Sequence, residues 1–145
     1  MVEPAVTRDH TERMLQSFGC DVRARDGVVT LAAPRSLQAA RLHVPGDISS
    51  AAFFLVAACL GAREPFTIRD VGVNPTRTGA LDALRAMAAS VTVENERPVG
   101  QEPVADLVIE TSGLRGTTIE GAVIPRLIDE LPALAVAATQ AEGET

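Results

Sequence analysis

The apolar positions along the chain separate two kinds of predicted helix. Residues 9–18 and 74–89 place their apolar side chains on one side, and the second of these helices is expected at the surface. Residues 48–60 and 131–138 are instead almost unbroken apolar runs, which predict helices buried on nearly all sides. A glycine follows three of the four segments and is the expected stop signal.

Short runs of β-forming residues between these helices predict strands. The first two, residues 22–25 and 28–31, flank an Asp-Gly dipeptide, which predicts a tight hairpin turn. Residues 34–38 predict a loop, and the polar residues 95–103, with Pro and Gly, predict an exposed one. The remaining predicted strands are residues 41–44, 66–70, 91–94, 107–110 and 117–120. Together these elements predict an α/β fold in which sheets pack around buried helices.

The two apolar helices resemble each other in how they begin. Asp47 precedes the first and Asp129 precedes the second, and aligning these residues also aligns Gly61 with Gly143. The similarity predicts repeated strand–helix–strand units, each with an apolar helix introduced by an acidic residue. The chain starts at a helix entrance and stops where a further strand is expected. We therefore expect an internal fragment of a longer protein.

Charge and composition narrow the classes of function. The chain has 46% apolar and 22% charged residues, which is typical of a globular domain. Its net charge of −6 argues against a general nucleic-acid binder, so an anionic ligand needs local arginines or helix N-termini. All 13 basic residues are arginines. A reaction that needs a lysine ammonium group therefore cannot be completed by this chain alone.

The remaining composition predicts a cytoplasmic protein and indicates no metal site. Cys20 and Cys59 are expected to be two reduced thiols, and no export signal or membrane-spanning run is visible. His10 and His43 do not lie at metal-ligand spacing with other ligands, so no metal site is expected. The glycine-rich nucleotide-binding loops and the serine hydrolase motif are absent from the sequence. Neither nucleic acid nor membrane is an expected partner.

Three charged residues are candidates for chemistry, each with a structural alternative. Asp129 is placed to cap a helix or to act as a general base, and the two roles are compatible. Asp47 is interpreted as a cap only, because Ser49 and Ser50 offer it local partners. Arg8 belongs either to a solvated helix end or to an anion site shared with backbone amides.

Four motifs occur in order along the chain and support a family resemblance. They are TRDHTERML at residues 7–15, VPGDISSAAFFL at 44–55, NPTRTG at 74–79 and IDELP at 128–132. Together they resemble the 5-enolpyruvylshikimate-3-phosphate (EPSP) synthases, a family of enolpyruvyl transferases. The resemblance implies two similar domains built from repeated βαβαββ units with buried parallel helices. It implies that residues 1–44 end one domain and that residues 45–145 begin the repeat units of the other.

The resemblance also implies a reaction and roles for three residues. Such enzymes transfer the enolpyruvyl group of phosphoenolpyruvate to the 5-hydroxyl of shikimate 3-phosphate, by addition and elimination, without a cofactor. Asp129 matches the position that takes the hydroxyl proton and binds the shikimate ring. Arg8 matches a position that contacts shikimate 3-phosphate, and Thr7 occupies a Ser/Thr position carried over as a further substrate contact.

Other motifs of the family are missing, including its Lys-Ser pair, its Asn-Ser-Gly-Thr loop, its Ser-x-Gln contact and its later lysine and arginines. We therefore expect no catalysis by this polypeptide alone, and expect the remainder of the enzyme as its partner. Exposed apolar helix faces could also drive homo-oligomerisation. Two alternatives stay open: a fragment of UDP-N-acetylglucosamine enolpyruvyl transferase, which shares the fold, and a non-catalytic folding or ligand-binding module.

Overall fold

The computed structural model describes residues 2, 7–33 and 36–145. Four helices and five strands follow one another along these residues. In chain order they are α1 (His10–Ser17), β1 (Val22–Arg25), β2 (Val28–Leu31), α2 (Ile48–Gly61), β3 (Phe66–Gly72), α3 (Gly79–Ala86), β4 (Ser90–Val99), β5 (Glu102–Glu110) and α4 (Leu131–Thr139). Two short 3-10 helices, Gly121–Arg126 and Ile128–Glu130, precede α4.

A three-stranded sheet in the order β3-β5-β4 carries one side of the core, and its strands pair antiparallel. The central strand β5 buries alternate side chains, with Ala105, Leu107 and Ile109 fully inaccessible to solvent. This period of two directs one face of the sheet towards α2, α3 and α4. The mixed helix-and-sheet architecture confirms the predicted fold class.

The outer strands of this sheet each contain an irregularity, and one carboxylate is bonded to both. The pairing register shifts between Ile68 and Val71 in β3 and between Glu94 and Arg97 in β4. Asp106 accepts hydrogen bonds from the backbone N–H of Asp70 at 3.0 Å and from the Asn95 side-chain amide at 2.9 Å. These bonds lower the pKa of Asp106 below its usual range.

Helix α1 and strands β1 and β2 form a smaller unit beside this sheet. Helix α1 packs on the two-stranded hairpin β1–β2, whose strand bounds agree with the prediction from sequence. Cys20 and Val22 are buried there, but neither belongs to the main core, which begins at Ile48. Cys20 and Cys59 are both buried free thiols.

The two apolar helices are less enclosed than the sequence predicted. Helix α2 buries Ala52, Leu55 and Cys59 against the core, but Phe53 and Phe54 on its other side are 58% and 61% exposed. Helix α4 likewise buries only part of its surface. The prediction of burial on all sides is therefore wrong within this chain, because nothing in its described part covers the outer faces.

Helix α3 confirms the expected one-sided pattern. Ala80, Leu81, Leu84 and Met87 are at most 1% exposed and face the core. The helix starts at Gly79, later than predicted, because the preceding residues form turns that the Asn74 side chain holds through Thr76.

Three strand or loop predictions are wrong. Residues 41–44 and 117–120 form no strand, because no neighbouring strand of the described chain pairs with them. Residues 95–103 are not a loop: β4 and β5 continue through them as a hairpin whose turn contains Gly100. The predicted loop 34–38 lies partly outside the described residues, since Pro34 and Arg35 are not among them.

Truncating the centre of the sheet should destabilise the chain strongly. Leu107→Ala leaves a cavity beneath three helices, and we expect it to lower the free energy of unfolding by about 2–5 kcal/mol. Urea unfolding followed by circular dichroism measures this loss. The matched change Leu37→Ala, at a side chain that is 60% exposed, should lower the free energy by less than about 0.5 kcal/mol. Equal losses in the two variants contradict the described core.

Candidate functional site

Asp47 caps helix α2, as the sequence predicted. Its carboxylate accepts hydrogen bonds from the backbone N–H groups of Ser49 at 3.3 Å and Ser50 at 2.9 Å, and from the Ser50 hydroxyl at 2.7 Å. Partial burial works against ionisation of Asp47. The bonds from Ser50 and Ser49 and the charge of Arg77 outweigh it, and together they lower the pKa of Asp47.

Asp129 lies at the corresponding end of α4, but it does not cap that helix. It sits inside the 3-10 helix Ile128–Glu130, and the N-cap position of α4 belongs to Glu130, whose side chain makes no capping hydrogen bond. The 3-10 turn leads directly into the α-helix, and Pro132 removes one of the donors that a cap would satisfy. The capping prediction for Asp129 is therefore wrong, and its carboxylate is available for other contacts.

Arg8 provides the closest of those contacts. Its Nη2 atom donates to Oδ2 of Asp129 at 2.5 Å, across 121 residues of sequence, and both side chains are about half exposed. The structure thus brings together two of the three predicted site residues. Thr7 is exposed and directly precedes Arg8 in the segment that leads into α1.

A second arginine reaches the same place from the turn before α3. The Nη2 atom of Arg77 lies 3.5 Å from Oδ2 of Asp129, 3.5 Å from Oε1 of Glu130 and 3.9 Å from Oδ1 of Asp47. It also donates to the Ser49 hydroxyl at 2.5 Å. One guanidinium group therefore contacts acidic residues at the N-terminal ends of both α2 and α4.

Glu130 is the most deeply buried member of this group. Only 1% of it is exposed, and its carboxylate accepts a hydrogen bond from the Ser49 hydroxyl. A charge removed from water in this way requires a partner, and Arg77 is the cation within reach. No role was predicted for Arg77 or Glu130 from the sequence. The available signals were the arginine in NPTRTG and an acidic residue next to Asp129, but neither shows that the two meet.

Another polar network joins α1 to the larger sheet. Asn74 donates to Asp9 at 2.6 Å and to Glu102 at 3.1 Å, and His10 bonds to Glu102 at 2.8 Å. Arg13 donates to Asp9 at 2.9 Å and to a backbone carbonyl in the β4–β5 turn. These bonds hold α1 against the sheet and thereby position Arg8, which lies two residues before the first residue of the helix.

A cavity of about 340 Å³ lies beside this network, between α1, the segment 42–48 and the β4–β5 turn. The charged group at the helix ends borders this cavity through Arg77 and Asp47, whereas Arg8 and Asp129 lie outside its lining. Within residues 2, 7–33 and 36–145, no three His, Cys, Asp or Glu side chains are grouped as metal ligands. None of the helices in these residues is both long and apolar enough to cross a membrane.

The comparison with known proteins covers the chain from end to end. A sequence model of the family described as EPSP synthase (3-phosphoshikimate 1-carboxyvinyltransferase) matches residues 1–145. The chain belongs to the EPSP synthase family. A 3-phosphoshikimate 1-carboxyvinyltransferase of Desulforudis audaxviator is 56% identical over 145 residues, and one of Bacillus cereus is 51% identical over 145 residues. The match covers 100% of this chain and 34% of each relative.

A solved structure of this family supports the fold. The EPSP synthase from Acinetobacter baumannii superimposes with a TM-score of 0.90 at 47% identity, covering 98% of this chain and 32% of that one. The family resemblance stated from the four motifs is thus confirmed. The chain spans about a third of the length of the EPSP synthases that it matches.

The cap at Asp47 gives a prediction that depends on pH. Asp47→Ala should lower the free energy of unfolding by about 1 kcal/mol at neutral pH, whereas Asp47→Asn should retain most of the cap. Because folding lowers the pKa of Asp47, its ionised form stabilises the fold above the ordinary value of 3.8. That stabilisation is lost as the pH falls through the lower folded-state pKa.

Urea unfolding at several pH values between neutral and about 3 measures the effect. The advantage of the unsubstituted chain over Asp47→Asn should be greatest near neutral pH and should shrink in acid. An advantage that stays constant or grows in acid contradicts the carboxylate cap.

Proposed function

We propose that this chain forms part of a 3-phosphoshikimate 1-carboxyvinyltransferase, which transfers the enolpyruvyl group of phosphoenolpyruvate to the 5-hydroxyl of shikimate 3-phosphate. The observation that carries the proposal is the pairing of Arg8 with Asp129 at 2.5 Å. A cation suited to a phosphate group and a carboxylate suited to a hydroxyl proton thus lie side by side at the end of α4. The names of the matched relatives support this substrate rather than a nucleotide sugar.

Asp129 is the proposed general base. A carboxylate within hydrogen-bond reach of the substrate hydroxyl can accept its proton as the oxygen attacks C2 of phosphoenolpyruvate, while the methylene carbon C3 takes up a proton from a general acid of the complete enzyme. The side chain is about half exposed, so a substrate can approach it. The tetrahedral intermediate then loses phosphate from C2 and a proton from C3, which restores the double bond and leaves the enolpyruvyl group on the hydroxyl oxygen. The same carboxylate is proposed to bind the shikimate ring.

Arg8 is the proposed ligand of the substrate phosphate, with Thr7 as an adjacent contact. A guanidinium group offers a planar pair of donors that fits phosphate oxygens, and Arg8 is exposed enough to turn towards them. Because Arg8 pairs with Asp129, the proposed phosphate ligand and the proposed base lie within hydrogen-bond distance of each other. No lysine occurs in this chain, so any lysine in the complete site comes from the remainder of the enzyme.

We assign residues 1–44 to the end of one domain and residues 45–145 to the beginning of the other. The separate sheets support this division, as does a main core that starts at Ile48. The contacts of Arg8 with Asp129 and of Asp9 with Asn74 then cross from one domain to the other. A cleft site is expected where such contacts meet. Cytoplasmic location remains a prediction from the sequence.

The uncovered faces of α2 and α4 are proposed to dock on the remainder of the enzyme. Phe53, Phe54, Leu131 and Val136 are all exposed in this chain, and a soluble protein seldom leaves such residues together in water. The same faces are the proposed route of self-association when the chain is produced alone. This incompleteness supports a part of an enzyme more than an independent binding module.

A segment exchange tests the function. The corresponding third of a full-length relative, 56% identical here, is replaced by this chain, and steady-state rates are measured with both substrates. The exchanged enzyme should be active, and Asp129→Asn should lower its kcat by about 10²–10⁴-fold. Arg8→Gln should raise KM for shikimate 3-phosphate by about 10-fold or more, because a charge-assisted bond to phosphate is lost.

Two exposed ion pairs elsewhere supply matched controls. Asp82→Asn is the control for Asp129→Asn, because the Asp82 carboxylate is as exposed as that of Asp129 and also has an arginine partner. Arg97→Gln is the control for Arg8→Gln, because Arg97 is about as exposed as Arg8 and also pairs with a carboxylate. Both should leave kcat and KM within about 2-fold of the unsubstituted enzyme. The 145-residue chain alone should form no product. An exchanged enzyme whose kcat is unaffected by Asp129→Asn refutes the proposed base.

Self-association of the isolated chain is a separate prediction. Sedimentation velocity at micromolar concentration should detect oligomers, and Phe53→Ser with Phe54→Ser should shift the chain towards monomer because the exposed apolar area falls. Val28→Ser with Leu31→Ser, which replaces two exposed apolar side chains of the β1–β2 hairpin, is the matched control and should change little. Monomeric sedimentation of the unsubstituted chain contradicts this route of association.

A further inference from the structure

The position of Arg77 suggests a task that neither Arg8 nor Asp129 performs. Both arginines approach the same oxygen of Asp129, with Arg8 Nη2 at 2.5 Å and Arg77 Nη2 at 3.5 Å. Their surroundings differ: the Arg8 side chain is 43% exposed, whereas that of Arg77 is 14% exposed. Arg8 can therefore exchange partners freely, and Arg77 cannot.

Arg77 is held in place by the groups around it. Its Nη2 atom donates to Ser49, whose hydroxyl donates in turn to the buried Glu130. Carboxylate oxygens of Glu130 and Asp47 both lie within 4 Å of the same nitrogen. Leaving this network would strand a buried carboxylate without a cation, which is costly. Arg77 therefore remains at the helix ends whatever happens to Arg8.

The proposed function requires Arg8 to do two things at once. In the described structure it holds the Asp129 carboxylate, yet in the reaction it is to contact the substrate phosphate. When the phosphate engages Arg8, the strongest contact of Asp129 weakens, and among the residues that the structure describes Arg77 is the cation that remains beside that carboxylate oxygen. A general base displaced by even about 1 Å can cost on the order of 100-fold in rate.

We propose that Arg77 is a positioning residue that keeps the Asp129 carboxylate at the ends of α2 and α4 while Arg8 is engaged by the substrate phosphate. This inference rests on the function proposed above. It assigns Arg77 no contact with substrate. Arg77 acts on the reaction through the position of Asp129. The hydrogen bond to Ser49 and the ion pair with Glu130 hold the Arg77 guanidinium in place for this task.

The first test uses the exchanged full-length enzyme. Arg77→Gln should lower kcat by about 10–100-fold and change KM for shikimate 3-phosphate by less than about 3-fold. Arg77→Lys retains the positive charge without the planar fork, and it should recover part of the lost kcat. A raised KM with unchanged kcat assigns Arg77 to substrate binding and overturns the proposal.

Loss of stability must be separated from loss of positioning, because Arg77→Gln leaves Glu130 buried without a cation. The double change Arg77→Gln with Glu130→Gln removes that charge, and the midpoint of thermal unfolding should return towards that of the unsubstituted enzyme. The value of kcat should stay low. Recovery of kcat together with stability shows a merely structural arginine and overturns the proposal. Arg97→Gln, which removes an ion pair on the β4–β5 hairpin, should change neither quantity appreciably.

The second test needs no catalytic activity. All variants are made in the 145-residue chain that carries Glu130→Gln. Arg77→Gln is introduced once with Asp129 intact and once together with Asp129→Asn. If Arg77 holds Asp129, Arg77→Gln should shift the midpoint of urea unfolding less when the Asp129 carboxylate is absent. Equal shifts in both backgrounds overturn the proposal.

The two tests also distinguish the inference from the function on which it rests. An inactive exchanged enzyme, or one indifferent to Asp129→Asn, refutes the proposed function, whereas the urea cycle still decides whether Arg77 holds Asp129.

Discussion

Glu130 is almost completely buried where α2 and α4 meet, and a carboxylate in that position must be paired. Ser49 and Arg77 provide the partners, one from the first turn of α2 and the other from the turn before α3. Satisfying this one charge therefore ties three elements of the chain together. Asp129 directly precedes Glu130, so its placement follows from the same pairing. The position of the candidate site therefore depends on the need to pair the buried Glu130 carboxylate.

The parts of the fold that could be predicted from sequence are those with a local cause. The apolar run of α2 and the Asp-Gly turn of the first hairpin act within a few residues, and the structure agrees with both. The strand expected at residues 41–44 failed because a strand exists only with a partner. The cap expected of Asp129 failed because a 3-10 turn runs directly into α4.

Some residues of the candidate site could likewise be predicted from the sequence, and others could not. Arg8 and Asp129 could be proposed because each belongs to a recognisable motif, although their meeting spans 121 residues. Arg77 could not be assigned a task in advance, because its significance lies in approaching Ser49, Asp129 and Glu130 together. Such a convergence is a property of the packed chain, and no spacing along the sequence encodes it.

The exposed pair Phe53 and Phe54 has a practical consequence. The chain contains no tryptophan or tyrosine, so it has almost no intrinsic fluorescence in the range normally observed. A tryptophan in place of Phe54 would thus be its only emitter, on a face of α2 that water now reaches. Its emission wavelength would report directly when that face leaves water and joins the rest of an enzyme.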